Sequence, residues 1–307
     1  MNQQPANILK VVGNTSLLAL RNILPANNSR ILLKLESENP TGSMKDRMAL
    51  AMIEAAESDG RLKPNGTVVE YTGGSTGVSL ALVCAVKGYR LHIVSSDAFA
   101  REKLTHMKIL GAQLELVRSD EGRMTETLTR NMIETARTIT RETSGFWTDQ
   151  LNNPDQIAGY RKMADEIWNQ AEGEVHGFVQ SVGTAGSLRG NAERLRRYSP
   201  TIKIVAVEPA ESPVLSGGKT GAHKIDGIGA GFVVPLWQEG LADDIELVST
   251  QEAEKMMIRL AKEEGIFAGT STGANVIGAL RLAEQLPPHS TVVTIMCDTG
   301  MKYLSKL

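Results

Sequence analysis

From residue 30 onward, short apolar or β-branched runs alternate with longer stretches in which apolar residues recur every three or four positions. The runs 31–35, 67–71, 91–94, 114–117, 177–182, 204–207 and 291–296 predict strands. The stretches 45–57, 78–86, 102–110, 124–142, 154–172, 188–198 and 252–264 predict helices. Strand and helix alternating in this way predict an α/β protein with parallel sheets, built from more than one βαβ block. No internal repeat or low-complexity segment interrupts the pattern. The Gly-rich stretch 216–231 is the longest irregular segment, and so long a loop in a compact domain usually has a functional part.

Composition narrows the function classes. Over 307 residues, 41% are apolar and 22% charged, the make-up of a globular protein with a sizeable core and room for two domains. The 33 basic and 35 acidic residues nearly cancel, which leaves no footprint for nucleic acid or an anionic membrane. Arg189, Arg194, Arg196 and Arg197 cluster, but on one amphipathic helix whose solvated face explains them. Cys84 and Cys297 lie in apolar runs, so a disulfide is not expected and a reducing compartment is. No stretch is apolar for long enough to act as a signal peptide or bilayer span, so the cytoplasm is the expected location. The five histidines show no ligand spacing with each other or with the cysteines, so no metal site is expected.

Candidate chemistry begins at Asn39-Pro-Thr-Gly-Ser-Met-Lys-Asp-Arg47. Pro40 and Gly42 predict a turn, Ser43 a helix N-cap with Asp46 in a capping-box position, and Lys45 falls in the first helical turn. A cation there faces the positive end of the helix dipole, and Lys45 shares its face with Ala49, Met52 and Ala56. Either the amine is pushed toward its neutral, nucleophilic form, able to form a Schiff base, or the turn frays and Lys45 reaches water.

Three loops each follow a strand and precede a helix, the place where α/β sheets collect ligands. Thr72-Gly-Gly-Ser-Thr-Gly77 suits a carboxylate or phosphate, or is simply a capped turn. Gly183-Thr-Ala-Gly-Ser187 lets the backbone approach an anion closely and lacks the lysine of a P-loop. Gly269-Thr-Ser-Thr-Gly-Ala274 carries hydroxyls that cap the helix or contact a ligand. Gly227-Ile-Gly-Ala-Gly-Phe232 fails as a dinucleotide fingerprint, because Phe232 takes the final glycine position and no strand leads in. There is no Gly-x-Ser-x-Gly hydrolase elbow.

An imine-forming lysine, a small-residue phosphate cradle and a separate anion loop together fit pyridoxal phosphate. Over nearly its whole length the chain resembles the cysteine synthase and cystathionine β-synthase family, fold type II pyridoxal-phosphate enzymes. Residues 39–47 resemble that family's lysine motif and 183–187 its phosphate loop. Residues 208–218, 224–232 and 298–304 are very close to O-acetylserine sulfhydrylases.

The resemblance implies two three-layer α/β domains with mainly parallel sheets, tryptophan synthase β-like. The larger would comprise 1–40 and 146–307 and the smaller 41–145, with pyridoxal 5'-phosphate in the cleft between them. It assigns Lys45 to the internal aldimine and proton transfer at Cα. Gly183, Thr184, Ala185, Gly186 and Ser187 would hold the phosphate, and Ser271 would meet the pyridine nitrogen. Thr72, Gly73, Ser75, Thr76 and Gln150 would form the substrate site, with Thr72, Thr76 and Gln150 receiving the substrate carboxylate. The loop departs from the family's usual Thr-Ser-Gly-Asn-Thr-Gly: Gly73 lacks the serine side chain and Ser75 stands for the asparagine that reaches the cofactor, which bears on substrate identity.

The implied reaction is β-replacement on an activated serine through an aminoacrylate. Its alternatives are β-elimination of the serine or threonine dehydratase kind, and a cofactor-binding homologue with mainly a partner role. The resemblance further implies a small amino-acid substrate and a homodimer, and raises serine acetyltransferase as a candidate partner. The termini give no sign of a heme extension or a regulatory module, so regulation by those routes is not expected.

Overall fold

The computed structural model describes residues 7–121 and 125–306. Among the described residues there are ten strands: β1 (Leu17–Ala19), β2 (Arg30–Leu35), β3 (Thr67–Tyr71), β4 (Arg90–Ser96), β5 (Gln113–Val117), β6 (Phe146–Trp147), β7 (Gly177–Ser181), β8 (Lys203–Pro209), β9 (Asp244–Val248) and β10 (Thr291–Met296). The α-helices described between them are α1 (Lys45–Ser58), α2 (Ser75–Lys87), α3 (Arg101–Ile109), α4 (Glu126–Thr143), α5 (Gln156–Gln170), α6 (Gly186–Tyr198), α7 (Thr250–Arg259) and α8 (Thr270–Gln285). The expected helix 124–142 begins on Met124, which lies outside the described residues.

The strands form two sheets. The larger runs β1-β2-β10-β7-β8-β9, and the smaller β5-β4-β3-β6. Every pairing is parallel except β1 against β2, as strand–helix alternation predicts. The central strands β3, β7 and β10 are buried along their whole length because helices cover both faces of each sheet. On the larger sheet, α8 lies across β2, β7 and β10. On the smaller sheet, α4 lies across β3 and β4, while α1 packs against both α2 and α5 and so couples the two halves.

The chain leaves the smaller sheet after β6, whose Phe146 and Trp147 pair with Val68 and Val69. Helix α7 continues through a wider turn at Leu260–Glu264 and ends at left-handed Gly265, accounting for one continuous periodicity over 252–264.

A buried charge cluster pins the start of α1. The Arg47 guanidinium donates to Glu36 at 2.7 and 2.8 Å and to Glu166 at 2.7 Å through both terminal nitrogens, and Lys34 pairs with Glu166 at 2.7 Å. Burial pushes the Glu166 carboxyl up, but Arg47, Lys34 and the Asn14 N–H outweigh it and hold the group at about 2.

Candidate active site

One cavity of about 500 Å³ opens at the carboxyl ends of the strands. It is walled by the segments that follow β3, β4, β7 and β10, and by the start of α1. Lys45, Thr72, Gly73, Ser75, Thr76, Gln150, Gly183, Thr184, Ala185, Ser187 and Ser271 all line it, from segments far apart in sequence. Gly186 alone of the expected residues is not in the wall; it opens α6 directly behind it.

Lys45 is the first residue of α1 and half-buried. Its amine has no hydrogen bond or ion pair among the described residues, while Ala49, Met52 and Ala56 on its face are wholly buried. The turn before it is not frayed. Met44 N–H donates to Cys297 O at 2.9 Å, and Ser43 bridges to Asp298. The expected Ser43 capping box does not form: Met44 is the N-cap in helical conformation, and Ser43 Oγ accepts only from Lys45 N–H at 3.3 Å. Asp46 instead turns back to Thr41, accepting from its N–H at 2.8 Å and its hydroxyl at 2.6 Å, which closes the 41–46 turn and aims Lys45 inward.

The loop 183–187 has the form of an anion cradle. Ala185, at φ +65°, is the N-cap of α6, and the N–H groups of Gly183, Thr184, Ala185 and Ser187 have no acceptor among the described residues. Glycine is required twice. A Cβ on Gly183 would lie 2.5 Å from Gly227 O, and one on Gly186 2.3 Å from Gln156 Oε1. Thr184 donates its hydroxyl to Gln156 Oε1 at 2.7 Å, and Ser187 is engaged with Gln180 at 2.7 and 3.0 Å.

The loop 72–76 opens α2, with Gly74 as N-cap. Thr76 Oγ donates to Gln150 Oε1 at 2.8 Å, joining two residues 74 apart in the sequence. Behind them lies Glu70, the one charged residue in β3, fully buried. It accepts from Tyr71 N–H at 2.8 Å, Gln150 N–H at 2.9 Å, the Thr148 hydroxyl at 2.7 Å and the Trp147 indole at 3.4 Å. Burial raises its carboxyl to about 7 against those four donors. Gln156 ties this segment to the cradle, donating to Gln150 O at 2.6 Å while accepting from Thr184.

Ser75 meets the segment 298–304, whose side-chain roles the sequence alone did not assign. Its hydroxyl donates to Asp298 Oδ2 at 3.4 Å and accepts from Lys302 Nζ at 3.3 Å, and Tyr303 donates to the same Asp298 oxygen at 2.6 Å. The other Asp298 oxygen is buried without a partner among the described residues. Burial lowers the Lys302 amine to about 8. Ser271, in the first turn of α8, lies against the Cys297 thiol, which burial pushes up to about 11. The irregular stretch 216–231 contributes Asp226, Gly227, Ile228 and Ala230 to the wall. Cys84 and Cys297 are buried free thiols. Among the described residues there is no cluster suited to a metal ion, and no helix is long and apolar enough to cross a membrane.

Residues 8–298 match the family model described as pyridoxal-phosphate dependent enzyme. The chain is 40% identical over 308 aligned positions to a cysteine synthase of Staphylococcus aureus, spanning 99% of this chain and 97% of that protein. The fold superposes on the crystal structure of an Entamoeba histolytica cysteine synthase with a TM-score of 0.92, at 38% identity over 99% of this chain and 90% of the other. An O-acetylserine-dependent cystathionine β-synthase from Helicobacter pylori superposes with a TM-score of 0.90, at 32% identity over 99% of both chains.

Proposed function

The chain belongs to the pyridoxal-phosphate dependent enzymes of the cysteine synthase family, with the fold type II architecture, and from that premise we propose that it carries out β-replacement on an activated serine of the O-acetylserine kind. The observation that carries this reading is the single cavity in which Lys45, two anion-binding loops and Gln150 converge. Pyridoxal 5'-phosphate is the cofactor of this family, and the residues here fit it: the 183–187 N–H groups are open to a phosphate, and the Lys45 amine is unengaged. When bound, the cofactor supplies a carbonyl for an amine and a conjugated ring that draws electrons from the substrate Cα.

Each residue then has a task. The backbone of Gly183, Thr184, Ala185, Gly186 and Ser187 holds the phosphate, with the dipole of α6 behind it. Ser271, which lines the cavity beside Cys297, would offer a neutral hydroxyl to the pyridine nitrogen of the bound cofactor, and with such a partner the ring would supply a mild electron sink, suited to loss of a β-group over transamination. The loop N–H groups, Thr72, Thr76 and Gln150 would take the substrate carboxylate, and Ser75, held by Lys302 and Asp298, would contact the bound cofactor. That carboxylate clamp turns the Cα–H toward Lys45. Lys45 removes the proton, the acetate leaves from Cβ, and a thiol or sulfide adds in its place as Lys45 returns the proton to Cα.

We propose further that the two sheets are the cores of two domains, 1–40 with the chain after β6 and the segment between, and that the protein works as a homodimer in the cytoplasm. Light scattering tests the dimer. Serine acetyltransferase remains the candidate partner, tested by co-elution. For the reaction, the cofactor-loaded protein is given O-acetylserine with and without sulfide. Cysteine formation that depends on sulfide supports replacement. Release of ammonia at the same rate without sulfide contradicts it and assigns elimination; no turnover of any amino acid assigns a partner role.

A further inference from the structure

Gly73 does not need to be glycine for its backbone, since its φ is not in the left-handed region. What requires it is Phe99. A Cβ built on Gly73 would lie 1.8, 1.9 and 2.2 Å from three atoms of the Phe99 ring, contacts no pair of atoms can keep. The ring fills the volume that any side chain at position 73 would occupy. It arrives from the turn between β4 and α3, flanked by Ala98 and Ala100, both also in the cavity wall.

That turn is fixed. Phe99 N–H donates to Ser96 O at 3.2 Å, Ala98 N–H to Ser96 Oγ at 3.3 Å, and Asp97 accepts from Ser119 N–H at 2.8 Å. Inside, the ring packs against the apolar cluster of Tyr71, Val94, Leu128 and Met132. It therefore has support behind it and the ligand cavity in front.

We infer that Phe99, admitted by Gly73, is a specificity-determining residue of the substrate site, selecting an amino acid with a free α-carboxylate and an uncharged β-leaving group. The inference rests on the β-replacement reading. With no side chain at 73, the carboxylate is held by N–H groups, Thr72, Thr76 and Gln150, and one face of the loop is hydrocarbon. Tyr71, Phe99, Met132 and Leu151 make an uncharged, largely hydrocarbon stretch of the wall, and stripping water from a dianionic β-substituent against it is costly. Lys103, also in the wall, lies with its ammonium 4.5 Å over the Tyr303 ring. An acetyl group loses little there.

The test compares the cofactor-loaded wild type with Gly73→Ser, Phe99→Ala and the double variant. Gly73→Ser alone forces the ring out. It lowers the melting temperature and raises KM for O-acetylserine at least about tenfold, with kcat less affected. Adding Phe99→Ala vacates the space and recovers most of both losses. The wild type prefers O-acetylserine to O-phosphoserine in kcat/KM by at least about tenfold, and Phe99→Ala narrows that ratio.

Additive effects of the two substitutions, or a ratio unmoved by Phe99→Ala, overturn the inference. A wild type that turns over neither serine derivative overturns the reaction assignment instead. The melting temperatures of the four proteins then still report whether Gly73 and Phe99 share one space.

Discussion

Glu70 links stability to substrate binding with opposite signs, and replacing it with glutamine separates the two. Its carboxyl is raised from 4.5 to about 7 by complete burial. Between those values the unfolded chain has lost this proton while the folded chain keeps it. Glu70 therefore adds stability that is fully present below about pH 4.5 and is lost as pH rises through about 7. At 1.36 kcal/mol per pH unit, the loss is on the order of 3 kcal/mol.

Glutamine has nearly the same shape and no ionisation, so E70Q lacks this term. Measured by urea unfolding, the stability difference between E70Q and wild type should move in favour of the variant by on the order of 3 kcal/mol between pH 4.5 and pH 8. The cost falls on binding. The ionised carboxylate accepts from both Thr148 Oγ and Gln150 N–H on one oxygen, whereas an amide –NH₂ placed there confronts the Gln150 N–H. Gln150 loosens, and KM for the amino acid rises at pH 8 while cofactor binding through 183–187 is unchanged. In the wild type, KM should likewise rise as pH falls through about 7. A stability difference between E70Q and wild type that is flat from pH 4.5 to 8 would refute the reasoning.

Two further outcomes follow from buried charges and thiols. Arg47→Ala strands Glu36, whose side chain is wholly buried, and should cost about 3–5 kcal/mol in urea unfolding. Because the Glu166 carboxyl is held at about 2, its stabilisation is present above about pH 4.5 and lost as pH falls toward 2, so an acid titration of the variant should unfold at higher pH than wild type. Cys84 and Cys297, pushed up by burial to about 12 and about 11, should resist iodoacetamide at pH 8 in the native protein and react fully in urea, as mass spectrometry of the labelled protein would read.

Much of the fold is legible because the central strands are buried on both faces and read as continuous apolar runs; 67–71 and 291–296 coincide with β3 and β10 to the residue. What pattern cannot reveal is the edges. β1 has three residues and β6 two, too short for any period, and β9 is an edge strand whose alternating burial is weak. The site is legible where backbone demands show through as small residues, in 72–77 and 183–187. It is hidden where a side chain acts by filling space. Phe99 is an apolar residue in a turn, and nothing local ties it to Gly73, twenty-six positions away. Glu70 was visible as a charge inside an apolar strand, yet its role depends on residues 147–150 that only the fold brings to it.

The central claim is that Lys45 carries the chemistry on an activated serine, and the visible absorbance of the cofactor-loaded protein during titration with O-acetylserine tests it most directly. The account predicts an imine band in the wild type that gives way to a new long-wavelength band as O-acetylserine is added and returns when sulfide follows. It predicts that Lys45→Ala binds the cofactor through 183–187 but lacks this conversion. A Lys45→Ala protein that converts O-acetylserine at the wild-type rate would contradict the account.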